Sequence, residues 1–490
     1  MTTKHSDIFY SKIYPKYKKL LKFDVAKTTW VKQSIDRLYG CRTDFQKVGW
    51  LFESLENLET DFEIFKYYVY QKNELIFNDH TPALRLYRQT KTTPRGLLLL
   101  FKKSPCSFIK ELINLHIDTI SSSGFFLCTN ELSNHCCDQL LALLNYNSIF
   151  KNVKNIERYQ KLFDSYLEKT YTVNGIHVEN SPYYHYYSIR QLYQSLSVEQ
   201  RERVKNYLSL CIAPNNNIVN IGDGNFQEIF EIDKISIFDN INFDYTIDFS
   251  TYYETGAGFN YFDCGHLIIK YDNIYFFIKS SLKHSWHHHY DNNSFVLFYK
   301  GYNFFIDAGM HSYEYKSFGR KFVTSPQAHN LFVLNDDKIL QRPHGLYHCE
   351  SVRVNYNTYK FISEYYKNIR YERTVEYDNT KKIFYFTDHV GNIPSEYKNY
   401  YILFHLNKNT QASINGTTVD IKVGNACIVL KLTEEANLKS VHNVLDGDFD
   451  DMHIGYNSPE RNKIVKIPTI VFKFENNGLV NKHSFEIVLK

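Results

Sequence analysis

The feature that most constrains the fold is a run of turn-broken, alternating apolar segments in the second half of the chain, with no helical pattern between them. HLIIKYDNIYFFIKS (266–280) reads as a hairpin turning at Asp272-Asn273, and SFVLFYKGYNFFID (294–307) as a second turning at Lys300-Gly301. RTVEYDNTKKIFYFTDHV (373–390) is a third, turning near Asp378-Asn379. QASINGTTVDIKV (411–423) turns at Asn415-Gly416, the strongest short hairpin signal present. Several hairpins without intervening helices argue for an antiparallel β-sandwich.

The first 235 residues have a different texture. Apolar positions recur at helical spacing in 107–120, in ELSNHCCDQLLALL (131–144), and at Ile156, Tyr159, Phe163 and Tyr166. Trp30–Phe65 reads as helical too, and SVEQ from Ser197 reads as a capping box opening a further helix. The Asn-, Gly- and Pro-rich passage APNNNIVNIGDGNF (213–226) marks the change of texture. The expected organisation is an α-helical domain over 1–235, as a bundle, solenoid or α/α toroid, and a β domain over 236–490. A cleft between two such domains is a common place for a site.

The size, 490 residues, suits two or three domains, and 43% hydrophobic with 22% charged residues describes a folded globular chain. A net charge of +4 is too balanced to imply nucleic-acid binding by overall field. The 41 Tyr and 37 Phe fit either a composition bias filling cores or a carbohydrate cleft, where aromatic faces stack on sugar rings. Nine scattered cysteines without a CxxC pair fit a reducing compartment. The longest apolar run, Leu97–Phe101, is too short to span a bilayer, and the N-terminus has no signal-like apolar core, so the expected location is cytoplasmic.

Four stretches could carry chemistry. In KHSWHHHYDNN, His284, His287, His288 and His289 crowd the approach to an apolar hairpin, and His287, His289 and Asp291 share a face if the segment is extended. Ser133-Asn134-His135 opens a helix whose Asn134 and Asp138 share a face. NGIHVENSPYYHYYS (174–188) sets Glu179, Tyr184 and His185 around a Ser-Pro helix start. RKFVTSPQAHN (320–330) ends in His329, which with Asp307 and one cluster histidine would make a His/Asp/His set suited to zinc. Taken singly, the second and third are more readily read as a solvated helix face and as aromatic core.

Together and in this order, the four stretches resemble the heparinase II/III-like polysaccharide lyases. HHHYDNNSFVLFYKGYNFFIDAG is similar to that family's H-x-H-x-D…SF…G…DxG segment, and SPQAHNLFVLND to its AHN-plus-strand segment. GIHVENSPYYH is similar to its G-x-x-x-E-x-SP-x-YH segment, and SNH precedes a Leu-rich helix as it does there. The resemblance implies an α/α toroid, here short and without clear matches in its first hundred residues, followed by an antiparallel β-sandwich. It implies β-elimination on an anionic, uronic-acid-containing polysaccharide. Asn134 and His135 would neutralise the uronate carboxyl group, Tyr184 would act as acid, base or both, and His287 would flank the sugar. Glu179, His185, Tyr313 and Arg320 are carried as substrate contacts, and His289, Asp307 and His329 as ligands of a structural divalent metal, zinc by its donor set. An intracellular role in capsule or surface-polysaccharide metabolism fits the absence of an export signal.

Three alternatives stay open at the level of sequence. They are a glycoside hydrolase using Glu179 and Asp291, a non-catalytic assembly protein with the same fold, and a zinc hydrolase built on the histidine cluster.

Overall fold

The structure is a computed structural model. It describes residues 134–151, 153–179, 181–224, 235–236, 246–247, 258–262, 264–271, 273–280, 289–312, 317–334, 348–366, 368–434, 437–445, 455–460, 463–478 and 481–490, together with 98, 101, 110, 113, 114 and 117. The helix expected over Trp30–Phe65 lies outside these residues, as does most of the one expected over 107–120. The chain forms two compact units, 1–170 with 240–243, and 171–239 with 244–490.

In the first unit, α1 (Asn134–Phe150) and α2 (Ile156–Thr170) are the two described helices longer than a turn. Tyr159, Phe163, Tyr166 and Thr170 bury one stripe of α2, and Ile156, Leu162 and Leu167 flank it half-buried.

The second unit begins with α3 (Pro182–Leu192) and α4 (Val198–Leu210). Proline at the first turn of α3 is preset for a helix start and removes a donor that would have no partner there. The expected capping box of α4 is complete: Gln200 N–H donates to Ser197 Oγ at 3.2 Å, and Ser197 N–H donates to Gln200 Oε1 at 3.0 Å.

Strands follow. Two short ones, β1 (Ile235–Ser236) and β2 (Thr246–Ile247), pair with each other. Next comes a five-stranded meander of β3 (Gly258–Phe262), β4 (His266–Tyr271), β5 (Ile274–Lys279), β6 (Phe295–Tyr299) and β7 (Tyr302–Phe305). After α5 (Phe318–Val323) come β8 (Phe332–Leu334), β9 (Cys349–Arg353), β10 (Thr358–Tyr366), β11 (Ile369–Asp378), β12 (Ile383–Gly391) and β13 (Asn399–His405). The chain closes with β14 (Gln411–Asn415), β15 (Thr418–Val423), β16 (Ala426–Leu432), β17 (Leu438–Val444), β18 (Gly455–Glu460), β19 (Lys463–Ile467), β20 (Thr469–Glu475) and β21 (Asn481–Leu489).

An eight-stranded sheet has the order β14-β15-β16-β21-β12-β11-β10-β9, and a four-stranded one the order β17-β20-β13-β8. The bridge Phe305–Leu406 joins the five- and four-stranded sheets end to end. One apolar core collects side chains from all three sheets, with Phe276 on Phe384 at 4.8 Å, Phe295 on Phe386 at 4.9 Å and Phe404 on Phe485 at 5.3 Å between ring centres. Each such buried phenylalanine contributes about 2–3 kcal/mol relative to exposure.

All four expected hairpins form. Lys300 and Gly301 both take positive φ, 51° and 80°, as a type I′ turn demands. At the fourth hairpin the turn sits one residue later than read from sequence. Asn415 pairs with Thr418, so Gly416 and Thr417 are the central residues, with positive φ only at Gly416. That is the Gly-first pattern of type II′, and the Asn-Gly dipeptide straddles the strand end.

In β11 and β12 burial alternates, one face on the core and one toward solvent, whereas β5 and β6 are buried at every position. Their second face lies under α4 and the segment after it: Ile268, Tyr275, Phe277, Val296 and Phe298 pack with Tyr207, Leu210, Cys211, Val219 and Ile221. The polar-looking Asn/Gly/Pro passage is thus laid across the sheet, and its end reaches the histidine-bearing loop.

Candidate functional site

The site is built on the segment His289–Ser294 between β5 and β6. Tyr290 N–H donates to Thr324 O at 3.0 Å, Asn293 N–H to Lys279 O at 2.8 Å, and Ser294 N–H to Asp291 O at 3.0 Å. Asn293 adopts φ 70°, where asparagine is among the few tolerant residues, and its Nδ2 donates to the carbonyls of Phe361 and Tyr371. Asn330 performs the same office from the other side: its Nδ2 donates to Phe295 O and Ile306 O, and its Oδ1 accepts from His405 N–H. Arg373 reaches out of the sandwich core to both. Its Nη1 donates to Asn293 O at 3.0 Å and to Asn330 O at 2.6 Å, while Nε and Nη2 each hold an Asp388 oxygen at 2.7 Å. A fully buried charge in this geometry is paired and has its donors occupied, so the loop rests on a rigid support.

Three buried groups converge on that support. Ligand atoms of Asp291, Asp307 and His329 lie within 4.8 Å of one another. His329 Nδ1–H donates to Asp307 Oδ2 at 2.8 Å, and its Nε2 is buried and has no protein partner. Asp291 Oδ2 lies 2.9 Å from Lys279 Nζ. The His289 ring is 5.6 Å from the His329 ring, and its Nε2–H donates to Asp223 Oδ1 at 2.8 Å, so Nδ1 carries the lone pair and is likewise buried without a partner. Burial holds the His289 imidazole below its ordinary pKa, against the pull of Asp223, so the ring is neutral at pH 7.

Two buried imidazole nitrogens without partners, beside two carboxylates, form a donor set that fits a divalent cation, and an unexplained orphan nitrogen in a core calls for such a partner. Asp307 and His329 are thus brought together as expected. Asp291 joins them, and His289 stands one step outside the tightest trio with Asp223 behind it in the manner of a carboxylate that orients a metal-binding histidine.

Asp223 is the residue that sequence reasoning missed. It is fully buried, and besides His289 it accepts from both Nη atoms of Arg320, one of them at 3.1 Å. Its backbone carbonyl accepts from Ser181 Oγ at 2.5 Å, immediately before α3. The only sequence signal was an acid between Gly222 and Gly224 in a loop, which composition assigns to solvent.

The remaining candidates fall as follows. Tyr184 sits in the first turn of α3, 8% exposed, its ring 5.8 Å from that of Tyr183 and 5.9 Å from that of Tyr187. Glu179 is buried, and its N–H donates to His177 Nδ1 at 3.3 Å. Two expected substrate contacts have partners within the protein. His185 donates from Nε2 to Val204 O at 2.9 Å and accepts His177 N–H at Nδ1, so both ring nitrogens are occupied by backbone groups. Burial pushes its pKa down to about 4. Arg320, 2% exposed, grips Asp223 and so supports His289. Asn134 and His135 are the first two residues of α1. His287 and Tyr313 lie outside the described residues.

Residues 255–480 match the family model "Heparinase II/III-like, C-terminal". Similar solved structures are the heparan sulfate lyase HepC from Pedobacter heparinus (16% identity, TM-score 0.57, covering 94% of this chain and 75% of that one) and a heparinase III (15% identity, TM-score 0.65, covering 91% and 76%). A second heparinase III, with methylated lysines, gives 15% identity and a TM-score of 0.60 over 100% of this chain and 76% of that one. At such identities the likeness speaks for the fold. No curated protein matches the sequence.

Proposed function

We propose that the chain is a polysaccharide lyase that cleaves a uronic-acid-containing polysaccharide by β-elimination. The observation that carries this reading is the heparinase II/III-like match over 255–480, the region that holds the buried Asp291–Asp307–His329 group. Two further features support it. The first turn of α3, which bears Tyr184, is tied through Ser181 to Asp223 and so to His289, two residues from His287. The similar solved structures include a heparan sulfate lyase and heparinases.

In this reading the proton alpha to the uronate carboxyl group is removed and the glycosidic oxygen leaves from the neighbouring carbon. Asn134 and His135 hydrogen-bond the carboxylate and stabilise the enolate-like charge. Tyr184 takes the proton, gives one to the leaving oxygen, or does both, and His287 shares that work according to the uronate's stereochemistry. His289, Asp291, Asp307 and His329 would hold a divalent metal, zinc by its nitrogen and oxygen donors, whose contribution is to fix the segment from His289, two residues after His287 in the sequence.

The hydrolase alternative is not favoured, because Asp291 is fully buried against the Lys279 ammonium, where a glycosidic bond has no access. The test is to incubate the protein with a panel of glycosaminoglycans, alginate and capsular uronates and follow ultraviolet absorbance. Elimination leaves a double bond conjugated to a carboxyl group, and hydrolysis does not. Absorbing product from wild type and its loss in Tyr184→Phe supports the reading; chain cleavage without absorbance, or no cleavage of any uronate polymer, overturns it.

A further inference from the structure

A cavity of about 180 Å³ opens beside Asp307 among the 213–220 segment, β6, β7, the turn after β13, and β18. Its polar lining is asparagine: Asn215, Asn217, Asn220, Asn303, Asn407 and Asn457. Val296, Phe298 and Ile306, all buried, form an apolar floor. Asp307 is the one charged residue in the described lining, and no lysine or arginine belongs to it.

The asparagines are not consumed by the fold. Asn303 Oδ1 is buried and has no partner. Asn457 uses Nδ2 on the carbonyls of Asp307 and Ala308, and Asn217 uses Nδ2 on Asn215 O, so each keeps its side-chain oxygen as an acceptor. Asn407 accepts Asn409 N–H at Oδ1 and keeps its two amide hydrogens. Converging amide donors and acceptors over an apolar floor match a molecule with hydroxyl groups on its rim and C–H bonds on its face. The cavity is below the roughly 300 Å³ at which drug-sized sites begin, so it takes one ring. An anionic ring would find no lysine or arginine in the described lining to pair with its carboxylate.

We propose that this cavity is a binding site for a single uncharged sugar unit, a neutral hexose or N-acetylhexosamine residue, separate from the groups assigned to β-elimination. Its occupancy does not depend on turnover, so the test stands whether or not the chain is a lyase. Saturation-transfer NMR on the full chain, with methyl hexosides, methyl N-acetylhexosaminides and a methyl glucuronide as probes, reads it directly. Neutral glycosides are expected to receive transfer that excess uronate oligosaccharide does not displace, and the glucuronide at least about tenfold less. Asn303→Leu, which fills the cavity without breaking a protein hydrogen bond, is expected to remove the signal at unchanged Tm, and Asn217→Ala to weaken it. No transfer to any neutral glycoside, equal transfer to the glucuronide, or an unchanged signal in Asn303→Leu overturns the proposal.

Discussion

Asp223 Oδ1 stands 2.8 Å from His289 Nε2, and the same carboxylate is gripped by both Nη atoms of Arg320. The residues come from three separate stretches: the passage after α4, the loop before β6, and α5. A single buried carboxylate therefore fixes which nitrogen of His289 faces inward and closes α5 over the loop.

Replacing Asp223 by Asn leaves a buried guanidinium without its counter-charge. Breaking one side of a buried pair costs on the order of 3–5 kcal/mol. The expected result is a Tm lowered by about 3–5 °C in a chain of this size, and the Asp223→Asn/Arg320→Met double variant should recover part of that loss. Thermal unfolding of Asp223→Asn, Arg320→Met and the double variant checks it; additive losses would show that the two side chains do not act as a unit.

Arg373 is the second such anchor, and it is wholly within the sandwich. Arg373→Met strands Asp388 and leaves the carbonyls of Asn293 and Asn330 without their donor, so a loss of about 4 kcal/mol is expected. Because those carbonyls belong to the loops of the candidate metal group, metal affinity should fall with stability. Denaturant melts paired with zinc titration read both.

Metal content is expected to track the orphan nitrogens. His289→Ala and His329→Ala should each lower the zinc retained after purification, together with Tm, and chelation should lower the Tm of wild type toward theirs. Elemental analysis with differential scanning fluorimetry decides; undiminished metal in the His289→Ala protein would remove His289 from the set.

Stability should fall in mild acid. Burial pushes the pKa of His185 down to about 4 and that of His266 to about 3, the latter also beside the Lys279 ammonium and only partly offset by Asp291. In the unfolded chain both titrate near 6.5. Below that value the unfolded state binds more protons than the folded one, so stability is complete above about pH 6.5 and declines toward pH 4. Each histidine contributes a loss on the order of 2 kcal/mol by pH 5. Urea unfolding at pH 7.5, 6 and 5 measures it; replacing His266, whose Nδ1 accepts from Tyr207 Oη at 2.7 Å, should flatten the profile at the expense of overall stability.

Much of the fold was legible before any coordinates. The hairpins at 266–280, 294–307, 373–390 and 411–423, the capping box at Ser197 and the stripe of α2 are local patterns, and all of them form. The one-residue displacement at Asn415-Gly416 arose because two turn types accept glycine at adjacent positions, and strand pairing chose between them. The site was legible in part. Asp307 and His329 were recognisable because they close motifs next to apolar strands. Asp223 was not, since nothing in a Gly-Asp-Gly loop shows that the loop will lie against a sheet. His185 and Arg320 were read as reaching for a ligand because polar side chains in a motif carry no mark of the backbone carbonyl or carboxylate they will meet.

The sequence by itself determined the alternation that makes strands, the spacing that makes helices, and the inventory of imidazoles, amides and carboxylates. Those depend on neighbours a few residues away. Only the tertiary structure decided that Asp223 stands behind His289, that Asp291 joins Asp307 and His329, and that a ring of asparagines surrounds a cavity. Each of these unites groups tens of residues or more apart, and the burial that gives them their chemistry exists only once the sheets have closed on a common core.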